Sequence, residues 1–225
     1  MGRSVYITGL GRGGGKSTIA LGLAELLSRQ VGRIGVFRPL VTAAGRDPIL
    51  TLLRERYRIE LPDDELYGVS YAEAAALVAD GRREELVSRI VARYRAVERR
   101  CPAVVVVGSD FDDAGDSGAG GQPRELAFNA RLAAEFGSLV VPVVDASGQE
   151  PEATGAAVRS AYHDLDDLGT TVLAVIANRV PEHLELPELP VPAYAVREVP
   201  AVSAPTVAEV AAALDATLLA GDDAA

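Results

Sequence analysis

Thr8-Gly9-Leu10-Gly11-Arg12-Gly13-Gly14-Gly15-Lys16-Ser17-Thr18 is the stretch on which the fold turns. It follows Ser4-Val5-Tyr6-Ile7, a short apolar segment that reads as a first strand. It leads into a helix from Lys16 to about Gln30, whose apolar residues Ile19, Leu23, Leu26 and Leu27 share one helical face. Gly32 breaks that helix. A strand, a glycine-rich turn and a helix start, in this order, make an anion cradle. The glycines let backbone N–H groups turn inward, and the helix N-terminus adds partial positive charge. Lys16 stands where an ammonium reaches the outer phosphates of a nucleotide, and Ser17 where a hydroxyl meets Mg²⁺. The candidate nucleotide contacts are therefore Gly9, Gly11, Gly13, Gly14, Gly15, Lys16, Ser17 and Thr18.

This is the context of a P-loop, although the run from Gly9 to Gly15-Lys16 is one residue longer than the usual spacing. Composition singles out the same place. Of 22 basic residues, Lys16 is the one lysine and the rest are arginine, so a chance landing in the loop has odds of about one in 22. Lysine is a compact point charge, which is the form a P-loop uses.

The composition excludes several classes. The 225 residues carry a net charge of −10 and no dense basic stripe, which argues against a nucleic-acid partner. A single cysteine, Cys101, makes no internal disulfide and too little for a cysteine-based zinc site. No apolar run reaches a membrane-spanning length, and the apolar stretch before Thr8 is too short for a signal peptide. These features predict a soluble cytoplasmic protein with no membrane partner.

Strands and helices alternate along the chain. Ile34–Phe37 reads as a second strand stopped by Pro39. Asp47-Pro48 reads as the cap and first residue of a helix carrying Ile49, Leu52 and Leu53. Residues 58–70 read as irregular, and helices return at 71–80 and 82–100. The second of these has the apolar stripe Leu86, Ile90, Tyr94 and Val97, with arginines and glutamates on its solvated faces. Ala103–Val107 is a β-branched run suited to a strand covered on both faces. A Gly- and Asp-rich loop at 108–122 follows. Then come a helix at 123–136, a strand at 138–144, a helix at 151–167, a strand at 171–177, a Pro-rich stretch at 181–200 and a helix at about 206–219. Strands joined by helices form parallel pairs, so the pattern predicts a doubly wound, mainly parallel α/β sheet. Residues 1–220 are expected to form one domain, and 221–225 a tail or truncated linker.

Asp110, just past the Val run, is a candidate Mg²⁺ acid. The acids at 110, 112 and 116 do not make a calcium loop, because Ala114 and Gly121 stand at two ligand positions. His163, His183 and Cys101 show no catalytic partner in the sequence.

The long loop, together with Val36-Phe37-Arg38-Pro39, resembles the dethiobiotin-synthetase-like branch of P-loop proteins. That resemblance implies Asp47 as a metal-linked acid and Asn178 as a reader of a nucleotide base edge. Two departures count against dethiobiotin synthesis itself. Arg38 stands where those enzymes place a catalytic lysine, and Val107-Gly108-Ser109-Asp110 replaces their acidic glycine-rich signature. An arginine does not supply a neutral amine, so Arg38 is read instead as an anion contact.

A nearer resemblance rests on seven stretches in order. They are Tyr6–Thr8, Lys16–Leu23, Gly35–Leu40, Tyr67–Tyr71, Val105–Phe111, Asn129–Ala133 and Ser203–Val207. Together they are similar to the N-terminal domain of long, multidomain phosphate acetyltransferases, especially actinobacterial ones. That family interconverts acetyl-CoA plus phosphate with acetyl phosphate plus CoA. The resemblance implies a nucleotide-binding regulatory domain (ATP or another nucleotide, with Mg²⁺), no catalytic residues of its own, and acetyl transfer in a separate C-terminal domain. It implies as partners the remaining domains of the same enzyme and a homo-oligomer. Two alternatives stand beside it: an ATP-dependent carboxylate ligase and a scaffold that has lost nucleotide binding.

Overall fold

Every strand pairing is parallel in the computed structural model, which describes residues 3–9, 14–42, 47–109, 124–181, 184–199 and 207–216. The strands are β1 (Arg3–Gly9), β2 (Gly35–Val41), β3 (Tyr67–Ser70), β4 (Ala103–Val107), β5 (Leu139–Asp145), β6 (Val175–Val180) and β7 (Ala193–Arg197). The helices are α1 (Lys16–Val31), α2 (Pro48–Arg56), α3 (Tyr71–Ala79), α4 (Arg83–Glu98), α5 (Arg124–Phe136), α6 (Pro151–Asp167) and α7 (Val207–Ala213). The sheet order is β3-β2-β4-β1-β5-β6-β7. This is the doubly wound α/β architecture that the alternation predicts.

The order places the site. From β1 the chain moves toward the β3 edge, and from β4, its neighbour, toward the β7 edge. The carboxyl ends of β1 and β4 therefore form a topological switch point, where open α/β sheets bind ligands. Right-handed crossovers put α1 and α2 on one face and α3 to α6 on the other. The central strands are thus covered twice, and all five residues of β4 are buried. An aromatic cluster fills the α4–α5 side. Tyr94 and Phe136 stack at 3.9 Å, and Phe37 meets both rings edge-on.

Several expectations need correction. Strand β2 runs through Pro39 to Val41. Its pairing with β4 ends at Phe37, and beyond that its bonds go to β3, with Arg38 N–H donating to Leu66 O. Pro39 faces the side where the ladder has already stopped, so its missing N–H removes no bond. The stretch read as irregular holds a 3₁₀ turn (Asp63–Glu65) and β3. A glycine interior hid that strand, and packing requires the glycine, since a Cβ on Gly68 would overlap Pro39 O and press on Ile90. The strand read at 171–177 begins at Val175, with Val172 making only an isolated bridge to Val140. The Pro-rich stretch contains the edge strand β7. In α1 the buried face is Ile19, Ala20 and Ala24, while Leu26 is exposed. In α2, Leu50 is buried and Leu52 exposed. The stripe of α4 is buried as its spacing predicts. No helix among the described residues is long and apolar enough to cross a membrane.

Candidate functional site

The loop enters α1 through Gly15, which is left-handed at φ 81° and caps the helix without a side-chain hydrogen bond. The first amides of α1 are left to the loop's own geometry, as an anion site requires. Gly14 is buried, while Ser17 and Thr18 are exposed on the first turn. Lys16 is different: only 6% of it is exposed. A cation at a helix N-terminus opposes the helix dipole. A carboxylate offsets that here, with Lys16 Nζ 3.3 Å from Glu125 Oε1 on α5.

Glu125 belongs to a buried polar network that carries α5 onto the central strands. Tyr6 OH donates to Asn129 Oδ1 at 2.7 Å, and Ser109 N–H donates to the same oxygen at 3.1 Å. Asn129 Nδ2 donates to Ser109 O and to Glu125 O, both at 3.0 Å. One asparagine thus joins β1, the end of β4 and the first turn of α5. Complete burial, reinforced by the charge on Glu125, pushes the Tyr6 phenol well above its ordinary value. Nothing in the spacing of Glu125 announces its role, because the pairing depends on how α5 lies across the sheet.

From the other side, β6 reaches the loop. Asn178 is buried within β6, and its Nδ2 donates to Gly14 O at 3.0 Å. A Cβ on Gly15 would overlap that nitrogen. The next residue, Arg179, is left-handed at φ 60° and sits where the β6–β7 register shifts. Asp145 Oδ2 holds Arg179 at 3.3 Å, and Asp145 Oδ1 accepts from Ser147 N–H and Oγ–H.

Arg38 and Asp47 are brought together at the end of β2 and the start of α2. Asp47 Oδ1 accepts from Ile49 and Leu50 N–H as a helix cap, and Oδ2 takes Arg38 at 2.7 Å. Both oxygens of Asp47 are thus engaged, one by the helix start and one by the arginine. Arg38 Nε is buried with no acceptor among the described residues.

Gly9 ends β1, whereas Gly11, Gly13, Asp110 and His183 lie outside the described residues, as does most of the expected 108–122 loop. His163 meets the Tyr162 ring edge-on. Burial pushes the Cys101 thiol up. The arrangement fits an anionic phosphate chain: a helix start that no side chain caps, a nearly buried ammonium, and a buried hydroxyl on Thr8 with no hydrogen-bond partner among the described residues. For Mg²⁺ the described residues hold no acidic cluster. Ser17 alone among them fits an ion that arrives with phosphates and keeps most of its waters.

A family model described as an AAA domain matches residues 3–220. Two curated relatives are similar to this chain, both phosphate acetyltransferases. The one from Nitratidesulfovibrio vulgaris is 28% identical over 182 residues, 80% of this chain and 25% of that protein. The one from Synechocystis sp. is 26% identical over 188 residues, 80% of this chain and 26% of that protein. The chain thus spans about a quarter of the length of these relatives. Among solved structures, a GTPase in apo form from Pyrococcus abyssi matches with a TM-score of 0.48 and 16% identity, covering 77% of this chain and 66% of that one.

Proposed function

The chain belongs to this AAA-domain family, and from that premise we propose that it is a nucleotide-binding module of a phosphate acetyltransferase. The loop from Gly9 to Thr18 holds the phosphates of ATP or a related nucleotide. Backbone amides of the first turn of α1 and Lys16 Nζ bind the charge. Ser17 would hold Mg²⁺, which when bound neutralises the outer phosphates. Arg38 is a second anion contact, acting from its pairing with Asp47. Acetyl transfer belongs to the remainder of the longer enzyme, and this domain serves it as a cytoplasmic regulatory and assembly unit.

One observation carries the reading. A nearly buried lysine, paired with Glu125 in the free chain, sits at a helix N-terminus that no side chain caps, the place in the fold where an anionic ligand gains most from it. A ligase of the dethiobiotin-synthetase type is the weaker reading, because a guanidinium stands at position 38, held by Asp47, where that chemistry needs an amine.

Titration calorimetry with ATP, ADP and GTP, with and without Mg²⁺, tests the proposal alongside an assay for acetyl phosphate formed from acetyl-CoA and phosphate. The expected result is nucleotide binding without acetyl transfer. Absence of binding to all three nucleotides, or full acetyl-phosphate formation by these 225 residues, contradicts it.

A further inference from the structure

We infer that Asn178 is a positioning residue of the phosphate loop: it sets the orientation of the Gly14–Gly15 peptide rather than reading the base. This rests on the phosphate-binding reading above. Asn178 Nδ2 holds the Gly14 carbonyl oxygen at 3.0 Å, in a place where Asn178 is buried. In a trans peptide the carbonyl and the following N–H point in opposite directions, and none of the peptide bonds among the described residues is cis. Fixing Gly14 O toward β6 therefore turns the Gly15 N–H away from β6.

That orientation is not self-maintaining. A peptide between two glycines has no Cβ to resist a flip, so an outside contact has to hold it. A left-handed residue followed by a right-handed helix makes the concave set of amides that binds anions, and Gly15 leading into α1 has this form. The strand is shaped to deliver the contact. Beyond Asn178 the β6–β7 register shifts at Arg179, whose left-handed backbone is uncommon for a side chain of that size. Asp145 pairs with Arg179, and Ala146 N–H donates to Asn178 O at 2.8 Å, so the end of β5 clamps the turn from both residues.

Inorganic triphosphate, ATP and GTP are titrated into the wild-type chain, Asn178→Ala and Asn178→Asp, with thermal melting of each. Ala removes the donor, and Asp sets a carboxylate oxygen against the Gly14 carbonyl. The expected loss is about tenfold for all three ligands alike, the fold-change of one buried hydrogen bond. The ATP-to-GTP ratio stays near wild type, and the melting temperature falls by no more than the about 2–4 °C of one lost buried hydrogen bond. A loss confined to ATP or GTP, with triphosphate unaffected, overturns the inference in favour of a base reader. A fall in melting temperature with unchanged affinities overturns it in favour of a purely structural role. A wild-type chain that binds none of the three overturns the phosphate reading and this inference with it. An NMR titration of the wild type gives a test independent of the variants. The Gly15 amide resonance is expected to shift on adding triphosphate, and an unmoved resonance overturns the inference.

Discussion

Replacing Glu125 by Gln removes the negative charge 3.3 Å from Lys16 Nζ, in a pair whose side chains are 7% and 13% exposed. At that separation and an effective dielectric constant of about 20, the attraction is roughly 5 kcal/mol. Dehydrating the two groups offsets much of it, and a hydrogen bond between charged groups nets about 1.5–3 kcal/mol. A phosphate that takes Lys16 competes with this carboxylate for the ammonium. Removing about 2 kcal/mol from the free chain alone makes nucleotide binding tighter by roughly 30-fold. The same change removes the carboxylate charge that offsets Lys16 when no nucleotide is bound. The free chain is then expected to melt about 4–8 °C lower, and saturating ATP to recover part of that loss. Calorimetry and melting of Glu125→Gln with and without ATP read both effects, which have opposite signs. An ATP affinity equal to or weaker than wild type refutes the competition between Glu125 and phosphate.

Gly15→Ala places a Cβ on a left-handed residue and against Asn178 Nδ2. Backbone strain of about 1–2 kcal/mol and the lost contact to Gly14 are expected to cut ATP affinity at least tenfold, and unchanged calorimetry contradicts this. Tyr6→Phe deletes the buried phenol that donates to Asn129. Melting is expected to fall by about 2–4 °C, for a loss of about 1 kcal/mol, and an unchanged melt counts against the network. Because Cys101 is buried and its thiol is pushed up, alkylation by iodoacetamide near pH ~8 is expected to be at least about tenfold slower in the folded chain than in denaturant. Equal rates would place the sulfur at the surface.

The helix start at Gly15-Lys16, α1 and the alternation of elements are legible in the sequence because each rests on local physics. Glycines open the backbone, a 3.6-residue period marks the buried stripe of α4, and a β-branched run marks β4. Asp47 as a helix cap is equally local, and the structure reproduces it. What escapes depends on distant parts of the chain. Strand β3 is a strand because α4 and β2 close around Gly68. Strand β7 is held by main-chain pairing to β6 while most of its side chains stay exposed, so no apolar alternation marks it. The buried face of α1 turns toward Ala20 and Ala24 because small side chains fit against the sheet, and its larger leucines stay at the rim. Glu125 and Lys16 are 109 positions apart, and only the placement of α5 makes them partners.

Phosphate binding by the loop ahead of α1 stands or falls with Lys16. Titration of ATP into the wild-type chain and into Lys16→Ala, with circular dichroism confirming that the variant is folded, tests it most directly. The expected result is binding by the wild type and a loss of at least about tenfold in the variant, the fold-change of one charge-assisted hydrogen bond. Equal ATP affinity in the two chains would contradict it.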